Sequence, residues 1–225
     1  MSGEMNAAEQ VTAKATGPES LSAESRATAA RLAESYRVSP LDMVPNPSPL
    51  LVESTEEVAV PTPNGLFGLR AWRFADGAEH LSARALDRDG NPVPYEGGGV
   101  PAVRIHSECA TGDIFGSFRC DCGPQLENGL RIIGRTGGYL VYVRNHEGRG
   151  IGLVNKLRAY ALQDAGLDTL DANLALGLDG DMRDYSQAAL ILQELGVHEM
   201  RLVTNNPAKQ EALEGLGLRV TELIP

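Results

Sequence analysis

Strand and helix patterns alternate along the second half of this sequence, and that alternation limits the folds open to it. Helix patterns follow strand patterns from residue 101 to the C-terminus. The predicted strands are 101–108, 137–145, 200–204 and 218–224, and the predicted helices are 123–134, 153–165, 185–195 and 207–216. Two further strand patterns, LFGLRAWRF and HLSARALDRDG, precede them. We expect an α/β (α+β) fold in which helices flank a mixed sheet.

The segment from Arg104 to Gln125 contains all three cysteines of the chain. Cys120 and Cys122 are separated by one residue, and Cys109 lies eleven positions before Cys120. Three thiolates from two adjacent segments can bind one metal ion and leave the fourth tetrahedral position open, as in catalytic zinc sites. Thiolates favour zinc or copper(I) over magnesium or calcium. The alternatives are a disulfide with one odd cysteine, or three buried, inert cysteines.

A second glycine-rich segment, HEGRGIG, starts at His146 and runs into the predicted helix at 153–165. Backbone N–H groups in such a turn, together with a helix N-terminus, favour anions. Alternatively, the glycines are needed only for the backbone conformation of a strand-to-helix turn, without any ligand. The spacing is not that of a GxxxxGK[ST] phosphate loop.

Charge and composition exclude several classes of protein. With 225 residues and 42% hydrophobic side chains, the chain can form a globular core. A formal net charge of −10 disfavours binding to nucleic acid polymers or anionic membranes, so an anionic substrate would need a local cationic pocket. We find neither a transmembrane-length apolar run nor a signal-peptide pattern, and we expect a cytoplasmic protein.

The first 59 residues differ in character from the rest and are predicted to be an N-terminal extension. They carry nine acidic and four basic residues. Residues 1–18 have the composition of a disordered segment, whereas 21–36 has apolar residues spaced for a helix. The proline-rich stretch SPLDMVPNPSPL then favours an extended connector. A tail, a dimer strap and a lid all fit this composition.

The cysteine segment resembles the zinc motif of the GTP cyclohydrolase II family, through HSECATGDIFGSFRCDCGPQLE. Three more segments match in the same order: NHEGRGIGLVNKLRAYALQDAGLDT, DMRDY and TNNPAK. The resemblance covers Val60 to Pro225 and implies one catalytic domain of that family over 60–225. It also implies a homodimer, one Zn²⁺ per chain and Mg²⁺ bound with a substrate triphosphate.

The resemblance implies hydrolysis of GTP as the first step of riboflavin biosynthesis. A zinc ion with an open position lowers the pKa of its bound water and provides a nucleophile. In this family that water attacks C8 of guanine, opens the imidazole ring and releases formate, and pyrophosphate is also removed. The product is 2,5-diamino-6-(5-phospho-ribosylamino)pyrimidin-4(3H)-one.

The family pattern also assigns roles to individual residues. The implied zinc ligands are Cys109, Cys120 and Cys122. Asp181 is implied as proton acceptor, Arg183 as nucleophile on the α-phosphate, and Tyr160 as a residue that helps complete ring opening. The implied substrate-binding residues are Arg104, Ile105, His106, Ser107, Glu108, Gln125, Glu147, Gly148, Arg149, Thr169, Thr204 and Lys209.

Alternatives remain at the level of residues and of function. A protonated guanidinium has no lone pair, so Arg183 could stabilise phosphate charge through bidentate hydrogen bonds while Asp181 orients it. The chain could be a paralogue that stops at the formamidopyrimidine or accepts another purine nucleotide. It could also be a nucleotide-binding or zinc-stabilised protein without turnover. The presence of Tyr160 argues against arrest at the formamidopyrimidine, and the presence of Asp181, Arg183 and the open three-cysteine set argues against a protein without turnover.

Overall fold

The computed structural model describes residues 22–36, 48–179 and 181–225. The disorder predicted for 1–18 and most of the proline-rich connector lie outside these ranges. The described chain forms two compact units. The helical unit comprises the described parts of 1–44, 109–121 and 146–183, and the sheet unit comprises those of 45–108, 122–145 and 184–225.

The sheet unit is built on one mixed sheet, as the sequence predicts, and this sheet has eight strands where the sequence predicts six. Its strands are β1 (Leu51–Ser54), β2 (Val58–Thr62), β3 (Gly65–Phe74), β4 (Glu79–Leu86), β5 (Ala102–Ser107), β6 (Gly138–Val143), β7 (Glu199–Val203) and β8 (Arg219–Ile224). Their order is β1-β3-β4-β6-β5-β7-β8, and β2 also pairs with β3. The β1–β3, β2–β3, β3–β4 and β4–β6 pairs are antiparallel. The β6–β5, β5–β7 and β7–β8 pairs are parallel. The first strand begins at Leu51, before the predicted domain start at residue 60.

Helices contribute to both core clusters of this sheet. They are α2 (Cys122–Thr136), α5 (Ser186–Glu194) and α6 (Pro207–Gly215). Val141 of β6 packs in one cluster with Ile191 of α5, whereas the neighbouring Leu140 packs in the other with Ile133 of α2. Because consecutive strand residues point to opposite faces, β6 is covered on both faces, which explains its continuous apolar sequence.

The helical unit contains α1 (Ala23–Ser35), α3 (Gly152–Asp164) and α4 (Thr169–Ala175). Its core brings together Ala29 of α1, Leu162 of α3 and Ala172 of α4. Helix α1 lies within the range 21–36 where the sequence predicts a helix. Ser22 caps it, since the Ser22 Oγ accepts a hydrogen bond from the Ser25 N–H at 3.0 Å. No helix in the described part of the chain has the length and apolar character needed to cross a membrane.

A polar substitution at Ala29 is expected to destabilise the helical unit. Ala29 is 4% exposed, so Ala29→Asp would bury a carboxylate among apolar side chains, at a cost on the order of 2–4 kcal/mol. Ala30→Asp is the matched control, because Ala30 is exposed in the same helix. Urea unfolding followed by circular dichroism measures both variants. Equal losses for the two would show that α1 does not pack as described.

A buried polar network links β4, α5 and the turn between β3 and β4. His80 and Gln187 are almost fully buried. The Gln187 Oε1 lies 2.7 Å from His80 Nε2, and its amide nitrogen donates to an Asp76 oxygen at 2.8 Å. The Arg144 N–H donates to His80 Nδ1 at 3.2 Å, so His80 is the neutral tautomer with its proton on Nε2.

This histidine predicts how stability depends on pH. Burial lowers the pKa of His80 below its ordinary 6.5, against the opposing effects of Gln187 and Asp76. The unfolded chain therefore binds a proton more readily than the folded chain, and the free energy of unfolding falls as pH drops through about 6.5. In a His80→Gln variant, the contribution of His80 to the slope of unfolding free energy against pH should disappear. Urea midpoints between about pH 8 and pH 5.5 measure it, and identical slopes for both proteins would contradict the prediction.

Candidate active site

The three cysteines that the sequence predicts as metal ligands lie together. All three sulfur atoms lie within 4.8 Å of one another, and the Cys109 and Cys120 sulfurs are 3.5 Å apart. Tetrahedral zinc with Zn–S bonds of about 2.3 Å would separate its sulfurs by about 3.8 Å, so this spacing fits such an ion. All three residues are thiols, and Cys120 and Cys122 are only half-buried. The disulfide and the buried, inert alternatives therefore do not describe this cluster.

A single π-helical turn, Ala110–Ile114, follows the first of these cysteines. Its geometry fixes the backbone at Cys109, whose N–H donates to a carboxylate oxygen of Asp113 at 3.0 Å. The Ala110 N–H donates to Glu147 Oε2 at 2.6 Å, which ties this turn to the glycine-rich segment. Such turns are rare and often occur at functional sites.

The carboxylate of Glu147 forms a buried ion pair with Lys156 of α3. The Lys156 ammonium lies 2.5 Å from Glu147 Oε1 and 3.0 Å from the Cys109 sulfur. Burial alone would lower the pKa of Lys156, but the hydrogen bonds to Cys109 and Glu147 outweigh it and raise that pKa. Glu147 is 6% exposed, and its carboxylate contacts both Lys156 and the Ala110 N–H.

The glycine-rich turn has a backbone conformation that few side chains adopt. Arg149 has φ +64°, flanked by Gly148 at +61° and Gly150 at +90°. An added Cβ at Gly150 would lie 3.0 Å from the Met182 backbone, so glycine allows the two segments to approach. The Met182 N–H donates to the Arg149 carbonyl at 2.9 Å. Strained conformations of this kind cluster at functional sites and cost about 1–3 kcal/mol each.

Asp181 and Arg183 form a bidentate pair. The Arg183 Nε lies 2.9 Å from Asp181 Oδ1, and its Nη2 lies 2.5 Å from Oδ2. Burial alone would raise the pKa of Asp181, but hydrogen bonds from Arg183 and the charges of Arg183 and Arg149 hold it below its ordinary value. Asp181 is therefore ionised at neutral pH.

Tyr160 of α3 faces the cysteine segment. The Arg119 guanidinium lies 4.6 Å from the Tyr160 ring centroid and also pairs with Asp164. The Tyr160 hydroxyl lies 3.4 Å from the Thr111 hydroxyl. A cation over the ring face stabilises one ring orientation. Thr169, also predicted to bind substrate, is the first residue of α4.

In the sheet unit, several predicted substrate-binding residues lie on or beside β5, toward the carboxyl ends of the parallel strands. Arg104 of β5 donates to the Val203 carbonyl of β7 at 3.0 Å and to the Gln125 amide oxygen of α2 at 2.9 Å. The Lys209 ammonium of α6 donates to the Ile105 carbonyl at 2.8 Å. In open α/β sheets, ligands bind outside this strand end.

The remaining predicted residues of the sheet unit lie at the same strand ends. The His106 ring stacks on Tyr142 with centroids 5.4 Å apart. Ser107 is the last residue of β5, and the Glu108 N–H donates to the Val143 carbonyl at 2.9 Å. Thr204 follows β7 directly and is 5% exposed. The substrate contacts of these residues stay predictions.

Two site residues were missed by the sequence reasoning. Lys156 and Arg119 both contact predicted functional residues. Lys156 lies four residues before Tyr160, so helix periodicity places both side chains on one face of α3. That periodicity could have identified Lys156 as a neighbour of Tyr160, but not its contact with Cys109.

The sequence model of the family described as GTP cyclohydrolase II matches residues 53–225. Two relatives are riboflavin biosynthesis proteins RibBA, from Rhodococcus jostii and from Mycobacterium tuberculosis. Each is 52% identical over 175 residues, which is 77% of this chain and 41% of the relative. The chain thus spans about two fifths of the length of these relatives. It belongs to the GTP cyclohydrolase II family.

One solved structure is similar over 82% of this chain and 43% of its own, with a TM-score of 0.40 and 21% identity. It is RibBX, a two-domain 3,4-dihydroxy-2-butanone 4-phosphate synthase from A. baumannii. A similarity of this degree supports no conclusion about fold or activity.

Proposed function

We propose that this chain is a GTP cyclohydrolase II. It hydrolyses GTP, opens the imidazole ring of guanine, and releases formate and pyrophosphate in riboflavin biosynthesis. The observation that carries this proposal is the convergence of Cys109, Cys120 and Cys122 within 4.8 Å in a chain of this family. Three thiolates form the donor set of a zinc site that keeps one position open.

Zinc is the proposed resident metal, held by the three cysteine sulfurs. Bound there, zinc would supply Lewis acidity and an activated water for attack on the guanine ring. The protein contributes the orientation of the ligands. The Asp113 carboxylate holds the Cys109 backbone, and the Lys156 ammonium contacts the Cys109 sulfur.

The Asp181–Arg183 pair is the proposed phosphate-reacting site. The Nε and Nη2 groups of Arg183 both donate to the Asp181 carboxylate. This negative charge favours the protonated form of the guanidinium. A protonated guanidinium is a poor nucleophile but a good bidentate partner for phosphate oxygens. We therefore assign Arg183 the role of stabilising charge on the α-phosphate, with Asp181 orienting it.

The remaining assignments follow the family pattern. Tyr160, held between Thr111 and Arg119, is proposed to help complete ring opening. Gln125 is proposed to hydrogen-bond a guanine edge, which rejects purines that lack the matching groups. The other proposed substrate contacts are Arg104, Ile105, His106, Ser107, Glu108, Glu147, Gly148, Arg149, Thr169, Thr204 and Lys209.

The proposed assembly is a homodimer. Several apolar side chains exposed on α3 and α4 are the proposed candidates for its interface. They are Leu153, Val154, Leu157, Leu170 and Leu174. Mg²⁺ is proposed to enter with the substrate triphosphate, whose oxygens supply much of its coordination. The clustered thiols fit a reducing compartment, so we propose a cytoplasmic location.

The test is incubation of purified protein with GTP, magnesium and zinc, with formate and pyrophosphate measured separately. Release of both products is expected, and mass spectrometry should show the pyrimidinone. A formamidopyrimidine product, or turnover of another purine nucleotide, would favour a paralogue. If zinc binds and no nucleotide is turned over, the proposed activity is wrong and the binding-only function is favoured.

A further inference from the structure

Lys156 is a buried cation to which the proposed steps of ring opening and pyrophosphate release assign no part. It lies on α3 and is 8% exposed, and its partners Glu147 and Cys109 are 6% and 5% exposed. A buried ammonium is costly unless its charge is paired and its hydrogen bonds are made. The Lys156 Nζ meets that requirement through Glu147 Oε1 at 2.5 Å and the Cys109 sulfur at 3.0 Å.

The contact with Glu147 does not by itself explain why the ammonium lies at Cys109. The Glu147 carboxylate also accepts the Ala110 N–H at 2.6 Å and the Gly148 N–H at 3.0 Å. It is thus stabilised by two backbone donors as well as by Lys156. The contact with the Cys109 sulfur is a separate interaction with a different chemical role.

The backbone around Lys156 allows the close approach that this contact needs. An added Cβ at Gly148 would lie 3.1 Å from the Lys156 Cβ and 2.8 Å from the Ile151 side chain. Gly148 also has φ +61°, where glycine is favoured. The glycine-rich turn therefore packs directly against α3 and holds the lysine stem toward the cysteine segment.

We propose that Lys156 is a positioning residue for the metal centre, which orients the Cys109 thiolate and offsets its charge. This inference rests on the proposed zinc-dependent function. Three thiolates around a divalent ion carry a net charge of −1, and the Glu147 carboxylate beside them brings this to −2; the Lys156 ammonium reduces it to −1. A hydrogen bond to a thiolate withdraws electron density from sulfur, so less is donated to the metal, which stays a stronger Lewis acid.

Lys156 also lies between the sulfur ligand and Tyr160, which is proposed to help complete ring opening. Its ammonium lies 5.8 Å from the Tyr160 ring centroid, one helical turn further along α3. The Thr111 hydroxyl lies 3.6 Å from the Cys109 sulfur and 3.4 Å from the Tyr160 hydroxyl. A change at Lys156 should therefore alter the metal ligand and the tyrosine environment together.

The experiment replaces zinc with cobalt(II) and compares wild type with Lys156→Met and Lys156→Arg. In Lys156→Met we expect metal affinity, measured by competition with a chromophoric chelator, to fall about 10- to 100-fold, because the Cys109 thiolate loses the contact that holds it in position and this outweighs its stronger electron donation. We also expect the thiolate-to-cobalt charge-transfer band to move to lower energy, because the sulfur lone pair loses the ammonium that stabilised it. Lys156→Arg keeps the charge and should recover most of the affinity.

Controls separate this role from a general need for a buried lysine. Lys209→Met removes another lysine that is 5% exposed, whose ammonium donates to a backbone carbonyl, and it should leave the cobalt spectrum unchanged. Circular dichroism shows whether each variant is folded. Lys156→Gln provides a second neutral variant if methionine prevents folding.

The outcomes distinguish this inference from the proposed function. A folded, neutral variant with wild-type affinity and an unshifted band would overturn the role of Lys156, even if the wild type releases formate. The wild type could instead bind metal but release no formate, while the neutral variant shows a shifted band. That result would overturn the proposed activity but support the role of Lys156. A wild type that binds neither metal would overturn both.

Discussion

Replacement of Cys120 by serine is expected to abolish formate release, with a fall of at least about 1,000-fold. Serine lacks the soft sulfur that zinc prefers. Only two thiolates then remain to bind the metal, instead of the three that the proposed site requires. Zinc content, measured by elemental analysis of the purified variant, should fall together with formate release. Pyrophosphate release should change by less than about tenfold, because the Asp181–Arg183 contacts do not involve Cys120.

The matched control for this experiment is Ser117→Ala in the same segment. Ser117 accepts the Arg119 N–H at 3.2 Å, so this change tests whether disturbance of the loop alone affects the metal. We expect full zinc content in that variant. If Cys120→Ser retained zinc and formate release, the three-cysteine site would be wrong.

Replacement of Arg183 by methionine is expected to lower pyrophosphate release by at least about 1,000-fold. The variant loses the cation that the structure holds against Asp181, and the α-phosphate loses its bidentate partner. The Arg183→Lys variant keeps one positive charge without the planar fork, so it should recover part of the rate. Initial rates of pyrophosphate release measure both variants.

The same variants address the chemical role of Arg183. If its guanidinium only stabilises charge, no covalent guanylyl adduct should accumulate on the protein during single turnover, as followed by mass spectrometry. An adduct on Arg183, together with no recovery in Arg183→Lys, would contradict our assignment and support the nucleophilic role that the family resemblance implies.

The fold was predictable where hydrophobic periodicity was strong. Strand β6 and helix α2 lie close to their predicted positions because β6 is covered on both faces and α2 presents one apolar stripe. Strand β1 was not predicted, because three of its four residues are exposed and no alternation marks it. Helix α4 has only seven residues, too few for the period of a helix to show.

The candidate site was predictable where the chemistry depends on spacing within one segment. The positions of Cys109, Cys120 and Cys122 were sufficient to predict a metal cluster. The ion pair of Glu147 and Lys156 was not, because in the sequence both residues resemble ordinary solvated charges on a turn and a helix. Only the packing of the glycine-rich turn against α3 shows that the pair is buried, and sequence spacing does not encode that packing.

The parallel half of the sheet has a consequence for synthesis of the chain. Strand β5 pairs with β6 on one side and with β7 on the other, and β7 begins only at Glu199. While the ribosome synthesises the last segment of the helical unit, 146–183, strand β5 has already been made. The edge of β5 that pairs with β7 has no partner at that stage, because β7 has not been made. Exposed strand edges of incomplete domains promote aggregation. Slow translation between β6 and β7 should therefore lower the soluble yield more than an equal delay among the hairpin-paired strands β2 to β4.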